Sequence, residues 1–219
     1  MFAGHIGAAM AIGRVERRVN LGVLVFAALL LDVLLWLFVL AGWESVVIPA
    51  NFAGTHQPEF VFPYSHGLLA AIAWSTLAGL AALVWYRPRQ KAKWRVAACI
   101  ALAVFSHWLL DALVHVPELP LTGEQSLKVG LGLWGRMPVA LAVEALITVL
   151  GLGLFLAGAS LTRGRKLGLA MLVVVTLIFT IVGMTVAPSP PSAMAMATSS
   201  LVTIIVVCAL AGWLGKRAT

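Results

Sequence analysis

The sequence predicts an all-α, polytopic membrane protein with six transmembrane helices, a short or re-entrant N-terminal helix, and both termini cytoplasmic. Three observations carry this. Of 219 residues, 62% are hydrophobic and 11% charged, with a mean hydropathy of +1.02, whereas soluble proteins carry about 25% charged residues. The apolar residues form runs of about twenty, the length that crosses ~30 Å of hydrocarbon at 1.5 Å per residue. The basic residues lie in four short clusters between those runs.

Residues 2 to 13, FAGHIGAAMAIG, are apolar but too short to cross, and they end in the basic cluster Arg14, Arg17 and Arg18. A half-helix dipping into the membrane fits, and an interfacial helix is the alternative. No Lys or Arg precedes the first apolar residues, so the layout of a cleaved signal peptide is missing and the mature protein is expected to start at or near Met1.

The six spans are expected at about 20 to 42, 65 to 86, 95 to 116, 137 to 160, 167 to 187 and 198 to 215. Arg87, Arg89, Lys91, Lys93 and Arg95 separate the second and third, Arg163, Arg165 and Lys166 the fourth and fifth, and Lys216 and Arg217 follow the sixth. Only Lys128 and Arg136 fall on the opposite side, in the outer loop 117 to 136. By the positive-inside rule both termini are cytoplasmic. The net charge of +7 is thereby explained by topology and gives no support to nucleic-acid binding. The remaining outer segments are the loop 43 to 64 and the Pro/Ser-rich turn 188 to 197.

Trp43, Trp85, Trp94, Trp134 and Trp213 fall at span ends, where an indole buries its ring and keeps its N–H wet, and they read as anchors. Cys99 and Cys208 each lie within an apolar run outside any C-x-x-C, so neither a disulfide nor a thiolate metal site is expected.

Ionisable side chains inside a span cost about 2.5 to 3.5 kcal/mol each on insertion scales and need an offsetting interaction. This chain has Asp32, His66, His107, Asp111, His115 and Glu144. Counted from the nearest cytoplasmic end of each span at 1.5 Å per residue, they lie about 18 to 31 Å deep, one layer in the outer half of the membrane. His5 reaches about 20 Å if residues 2 to 13 are re-entrant.

The sharpest motif is SHWLLDALVH, with His107, Asp111 and His115 at i, i+4 and i+8. Each step of four turns only about 40°, so the three side chains fan over one helix face. Imidazole nitrogen and carboxylate oxygen on adjacent turns are what a divalent transition metal needs. The competing reading is polar glue between helices. His56, within THQPEF in the outer loop, reads as solvated and outside the site. Glu144 either pairs with Arg136, eight residues earlier, or supports the site as a neighbouring carboxylate or base.

On GHIGAA with His5, LLLD with Asp32, PYSHGLLAA with His66 and SHWLLDALVHVPELPL with His107, Asp111 and His115, the chain resembles the bacterial membrane-bound metal-dependent hydrolases of the YdjM type. GLGLW at 130 to 134 and the following span with Glu144 extend the likeness, which covers residues 1 to about 160. The resemblance implies metal-dependent hydrolysis in the bacterial cytoplasmic membrane and supplies no substrate. The chain departs from it in carrying Gly135 and Arg136 after GLGLW, where relatives have a small polar residue, and in continuing into two further spans.

The expected organisation is thus a four-helix metal-binding and catalytic core with its N-terminal half-helix over 1–160, and two additional transmembrane helices over 161–219. His5, Asp32, His66, His107, Asp111 and His115 exceed the three or four ligands one zinc uses, which suggests two ions or one ion with a carboxylate left as base. Zinc is the expected metal and manganese its alternative. Asp32 and Glu144 are the candidate catalytic carboxylates. Lys128 and Arg136 are the candidates to hold an anionic headgroup of a phosphate or lipid-linked ester, although interfacial cations also simply snorkel to lipid phosphate.

Ser65 and Ser106 each precede a histidine, but adjacent helical residues do not face each other, so a serine nucleophile has little support. Other classes remain open at this stage. The same His and Asp residues serve a metal-ion or proton transporter, although no internal repeat relates the spans. A b-type haem protein with His66 and His107 or His115 as axial ligands conflicts with carboxylates at that depth. A catalytically silent interaction protein would use the polar layer only for packing.

Overall fold

The structure is a computed structural model that describes residues 1–86 and 90–216. Arg87, Arg89 and Arg217, counted above among the basic residues, lie outside the described residues, as does the side chain of Lys91.

Among the described residues the chain is mainly helical. Helix α1 (Ala3–Val15) is followed by α2 (Leu21–Ala28) and α3 (Leu30–Ala41). An outer segment then carries β1 (Ser45–Val47), the one-turn helix α4 (Phe52–Thr55) and β2 (Glu59–Val61). The long helices α5 (Leu68–Trp85) and α6 (Gln90–Val114) come next, then β3 (Leu119–Pro120), β4 (Lys128–Val129) and a 3-10 turn at Leu133–Arg136. The chain ends with α7 (Met137–Gly158), α8 (Arg163–Thr185) and α9 (Ala193–Leu214).

Helices α5, α6, α7, α8 and α9 are long and apolar enough to cross a membrane. The pair α2 and α3 makes a sixth candidate if counted as one span, but it is bent by 55° at Leu29. The unbroken first span expected from hydropathy is therefore corrected to two half-helices. The loops also hold two short antiparallel hairpins, Ser45–Val47 against Glu59–Val61 and Leu119–Pro120 against Lys128–Val129, where only loops were expected. Alternation in SVV and EFV gives the first its strand character.

The exterior is largely apolar, unlike that of a soluble fold, and the apolar interior encloses a cluster of buried polar side chains. Leu69, Ile72, Leu77 and Leu80 on α5 and Val174, Ile178 and Phe179 on α8 are exposed, while His5, His66, His107, Asp111, Glu144 and Thr148 are buried. Lipid rather than water is the solvent that suits such a surface.

Helix α1 occupies the middle of the bundle, with α2, α6, α7 and α8 around it. Its 13 residues span about 20 Å at 1.5 Å each, so it ends inside the bundle. Its closest approach is to α7, where a Cβ on Gly7 would fall 2.6 Å from the Ile147 carbonyl oxygen. The backbones of Gly7 and Gly151 meet there, a contact only small residues permit. At the other end, Glu16 accepts from Arg18 and pairs with Arg95 of α6 at 3.4 Å, which ties the end of α1 to α6.

Helix α9 packs along α2 and α3. Asn20 caps α2 through the Gly22 N–H (2.8 Å) and donates to the Gly212 carbonyl of α9 (3.0 Å). The last helix thus rests directly on the segment that carries Asp32, and α8 packs against α7 and α9.

Candidate metal centre

Four stretches of chain converge in the interior. Helix α1 supplies His5, the first turn of α3 supplies Asp32, the turn preceding α5 supplies His66, and α6 with the residue just past its end supplies His107, Asp111 and His115. Two details differ from expectation. His66 lies two residues before α5 rather than within a span from 65, and His115 lies one residue beyond α6, where its N–H still bonds the Asp111 carbonyl (2.8 Å).

Asp111 is the hub. Its Oδ2 lies 3.0 Å from His107 Nε2, 3.5 Å from His66 Nε2 and 3.9 Å from His115 Nε2. Its Oδ1 lies 3.2 Å from His5 Nε2 and accepts from the Met1 amino group at 3.0 Å. Asp32 Oδ1 lies 3.7 Å from Nε2 of both His66 and His107. The Nε2 atoms of His66 and His107 are 3.2 Å apart, and the His5 ring stacks on His107 at 3.8 Å. That spacing leaves no slot for a porphyrin plane between His66 and His107.

Two overlapping sets of side chains are close enough to share an ion: His5, Asp32 and His107, and His66, His107 and Asp111. Their members are buried except Asp32, whose side chain is 22% exposed and is the most open of these ligands among the described residues.

The far side of each ring decides what the near side offers. His107 Nδ1 donates to the Ala28 carbonyl (2.7 Å), a group freed because α2 ends there. His66 Nδ1 faces Ser65 Oγ (2.8 Å), and His115 Nδ1 faces Glu118 Oε1 (2.5 Å). Ser65 Oγ donates to Glu44 Oε2 (2.6 Å), and Glu44 Oε1 accepts the N–H groups of Tyr64 and Ser65, each at 2.8 Å. With its hydrogen on Glu44, Ser65 can only accept from His66. Burial pushes the Glu44 carboxyl above its ordinary range, against the lowering pull of these hydrogen bonds.

These bonds assign the proton of each neutral imidazole to Nδ1 and leave a lone pair on Nε2, turned inward. The centre is then lined by nitrogen lone pairs and two carboxylates, with the Met1 ammonium on Asp111 Oδ1 as the charged donor among them. Neither nitrogen of His5 has a hydrogen-bond partner among the described residues, although His5 is fully buried. His5 Nε2 stands 3.2 Å from Asp111 Oδ1, and imidazole nitrogens gathered beside carboxylates in this way fit the ligand chemistry of a divalent cation such as zinc or manganese.

The segment GLGLW builds the wall beside His115. Leu131 and Gly132 donate N–H to the carbonyls of Ala112 and His115, which α6 leaves open at its end (2.8 and 2.7 Å). A Cβ on Gly130 would overlap the carbonyls of His115 and Val116, which accounts for the glycine. Trp134 packs its ring against His115 at 4.0 Å, so it is part of this wall rather than simply an interfacial anchor.

Glu144 does not meet Arg136 in any ion pair among the described residues; its Oε2 accepts the Gly4 N–H (3.3 Å) at the start of α1. A carboxylate there complements the helix N-terminus and holds the helix that carries His5. Lys128 is engaged with Glu124 (2.6 Å), while Arg136 is exposed, two residues past Trp134. His56 is buried beside Phe52 with a left-handed backbone (φ 52°), not solvated as expected. Nothing in the sequence singles out Glu44 or Glu118, and Ser65 is set aside there as a helical neighbour of His66, whereas it lies in the turn before α5 and its Oγ is 2.8 Å from His66 Nδ1. The chain matches no family model, no curated protein and no solved structure.

Proposed function

We propose that this protein is a metal-dependent hydrolase of the bacterial cytoplasmic membrane, of the YdjM type, acting on a phosphate or other lipid-linked ester. The proposal includes six spans, with α2 and α3 as one broken span, and both termini in the cytoplasm. One observation carries the reading: the Nε2 atoms of His5, His66, His107 and His115 converge in the interior on the buried Asp111, and Asp32 stands within 3.7 Å of two of them. A bound divalent cation would engage these nitrogens and carboxylates together, where the Met1 ammonium engages Asp111 Oδ1 alone.

His5, Asp32, His66, His107, Asp111 and His115 are the ligand candidates for one or two ions, zinc first and manganese second. A divalent ion supplies Lewis-acid polarisation of an ester and acidifies water. The chain's own residues supply the rest. Hydrolysis requires a base for the proton of the attacking water, and Asp32 is the more exposed carboxylate of the cluster. Glu144 secures α1 and with it His5. Arg136 is exposed beside the Trp134 wall, where a guanidinium suits an anionic headgroup, and Lys128 adds charge to the same loop.

The deciding experiment is metal content by mass spectrometry on purified wild type, His107→Ala and Asp111→Ala, with size-exclusion profiles to match folding. One or two ions per chain in wild type, lost in both variants, is expected, followed by release of phosphate or acid from lipid-ester vesicles. Wild type that stays metal-free after incubation with zinc and manganese overturns the reading. Metal-loaded protein that moves ions across vesicles and cleaves no ester moves the assignment to transport.

A further inference from the structure

Glu44 lies outside every motif read from the sequence, yet it is buried in the outer segment after α3 and makes three hydrogen bonds. All three are accepted, two from backbone N–H groups of the turn before α5 and one from the Ser65 hydroxyl. That turn delivers His66. The connection runs from Glu44 through Ser65 to Nδ1 of His66, and from there across the ring to the Nε2 that faces His107 and Asp111.

We infer that Glu44 and Ser65 are positioning residues that fix the tautomer and orientation of His66 for metal binding. The inference rests on the metal-site reading given above. An ionised carboxylate only accepts, so Ser65 must give it the hydroxyl hydrogen. Ser65 oxygen then accepts from His66 Nδ1–H, and the proton on Nδ1 leaves Nε2 free to ligate. Partners of this kind raise ligand basicity and fix ring orientation, and their removal typically costs about 10- to 100-fold in metal affinity.

Glutamine at position 44 makes the dependence visible because it has the same shape and one different polarity. Its amide oxygen is drawn to the two backbone N–H groups, which places its NH2 against Ser65. Ser65 must then accept from that NH2 and turn its own hydrogen toward His66 Nδ1. The imidazole proton moves to Nε2, where it confronts His107 and Asp111 and blocks ligation. A near-isosteric change 22 positions away in sequence thereby disables a ligand it never touches.

The test is cobalt titration of the purified full chain in detergent, read by visible absorption, with zinc competition to give affinities. Wild type, His66→Ala, Glu44→Gln, Ser65→Ala, Ser65→Thr and the Glu44→Gln/Ser65→Ala double variant are compared. Expected are losses of about 10- to 100-fold in Glu44→Gln and in Ser65→Ala, each with an altered cobalt band. Ser65→Thr, which keeps the hydroxyl, retains affinity and band position. The double variant binds no more weakly than Ser65→Ala alone, because both lesions act along one path. Wild-type affinity in Glu44→Gln, or losses that multiply in the double variant, overturns the inference while leaving the metal site in place. If Glu44→Gln does not fold, the contrast between Ser65→Ala and Ser65→Thr decides, and equal losses in those two overturn it. Wild type that binds neither ion overturns the metal-site reading, and this inference with it.

Discussion

Replacing Gly7 by alanine asks whether the seat of α1 sets the geometry of the centre. The added Cβ would lie 2.6 Å from both the Ile147 carbonyl oxygen and the Thr148 Cα, where ordinary contact begins at 3.4 Å. Both obstacles are backbone of α7 and have no rotamer to escape into, so α1 must retreat by about 0.8 Å, enough to strain a packed interface by about 1 to 3 kcal/mol. His5 sits two residues earlier on the same rigid helix and moves with it. Ligand constellations tolerate displacements of only about 0.5 Å, so zinc affinity should fall by about tenfold or more together with the melting temperature in detergent. Gly153→Ala is the control, because a Cβ there meets nothing within 4 Å and lies on the same helix α7. That change should leave zinc binding intact and, through helix propensity, add up to about 1 kcal/mol. Zinc competition and thermal unfolding read both. A Gly7→Ala protein indistinguishable from Gly153→Ala refutes the claim that the glycine contact holds His5 in place.

Gly130→Ala should weaken metal binding without dissolving the bundle, since its Cβ would push the GLGLW segment off the carbonyls of His115 and Val116; unchanged zinc affinity would show that this segment does not position His115. The pH dependence of stability carries the sign of Glu44. Its carboxyl titrates above its ordinary 4.5 in the folded chain because of burial, so it contributes stability at low pH that is lost as pH rises from that value through the raised one. Glu44→Gln should therefore gain melting temperature relative to wild type across that window on going up in pH, and a difference that stays flat would contradict the burial of the charge.

Much of the helical layout is readable in the hydropathy. The span expected at 137 to 160 is α7 at Met137–Gly158, and the His and Asp residues stand out because an apolar run makes any ionisable group conspicuous. The break at Leu29 was hidden for the converse reason. LVFAALLLDVLL contains neither proline nor glycine, and the carbonyl it frees is taken up by His107, a residue far away in sequence. Glu44 and Glu118 were invisible because a polar residue in a polar loop carries no signal until the fold buries it, and Ser65 is set aside only because the span is expected to begin at 65 rather than at Leu68. Trp134 at a span end matched the anchor pattern, and only the packing of GLGLW against the end of α6 turned it inward. His56 misled for the same reason, since a loop position says nothing about whether Phe52 covers the ring.

The order of synthesis gives the Gly7–Gly151 contact a further meaning. Helix α1 is made first, yet the helix it seats against is made some 144 residues later, about 7 to 30 s at ordinary elongation rates. Until α7 arrives, α1 has no partner for its glycine face, and Gly4 has no Glu144 to receive its N–H. His5 is therefore the first ligand translated and the last to be locked. A metal ion captured early would meet an incomplete set of donors, so the proposed centre would be complete for loading only at the end of assembly, when the arrival of α7 closes the protein around its own beginning.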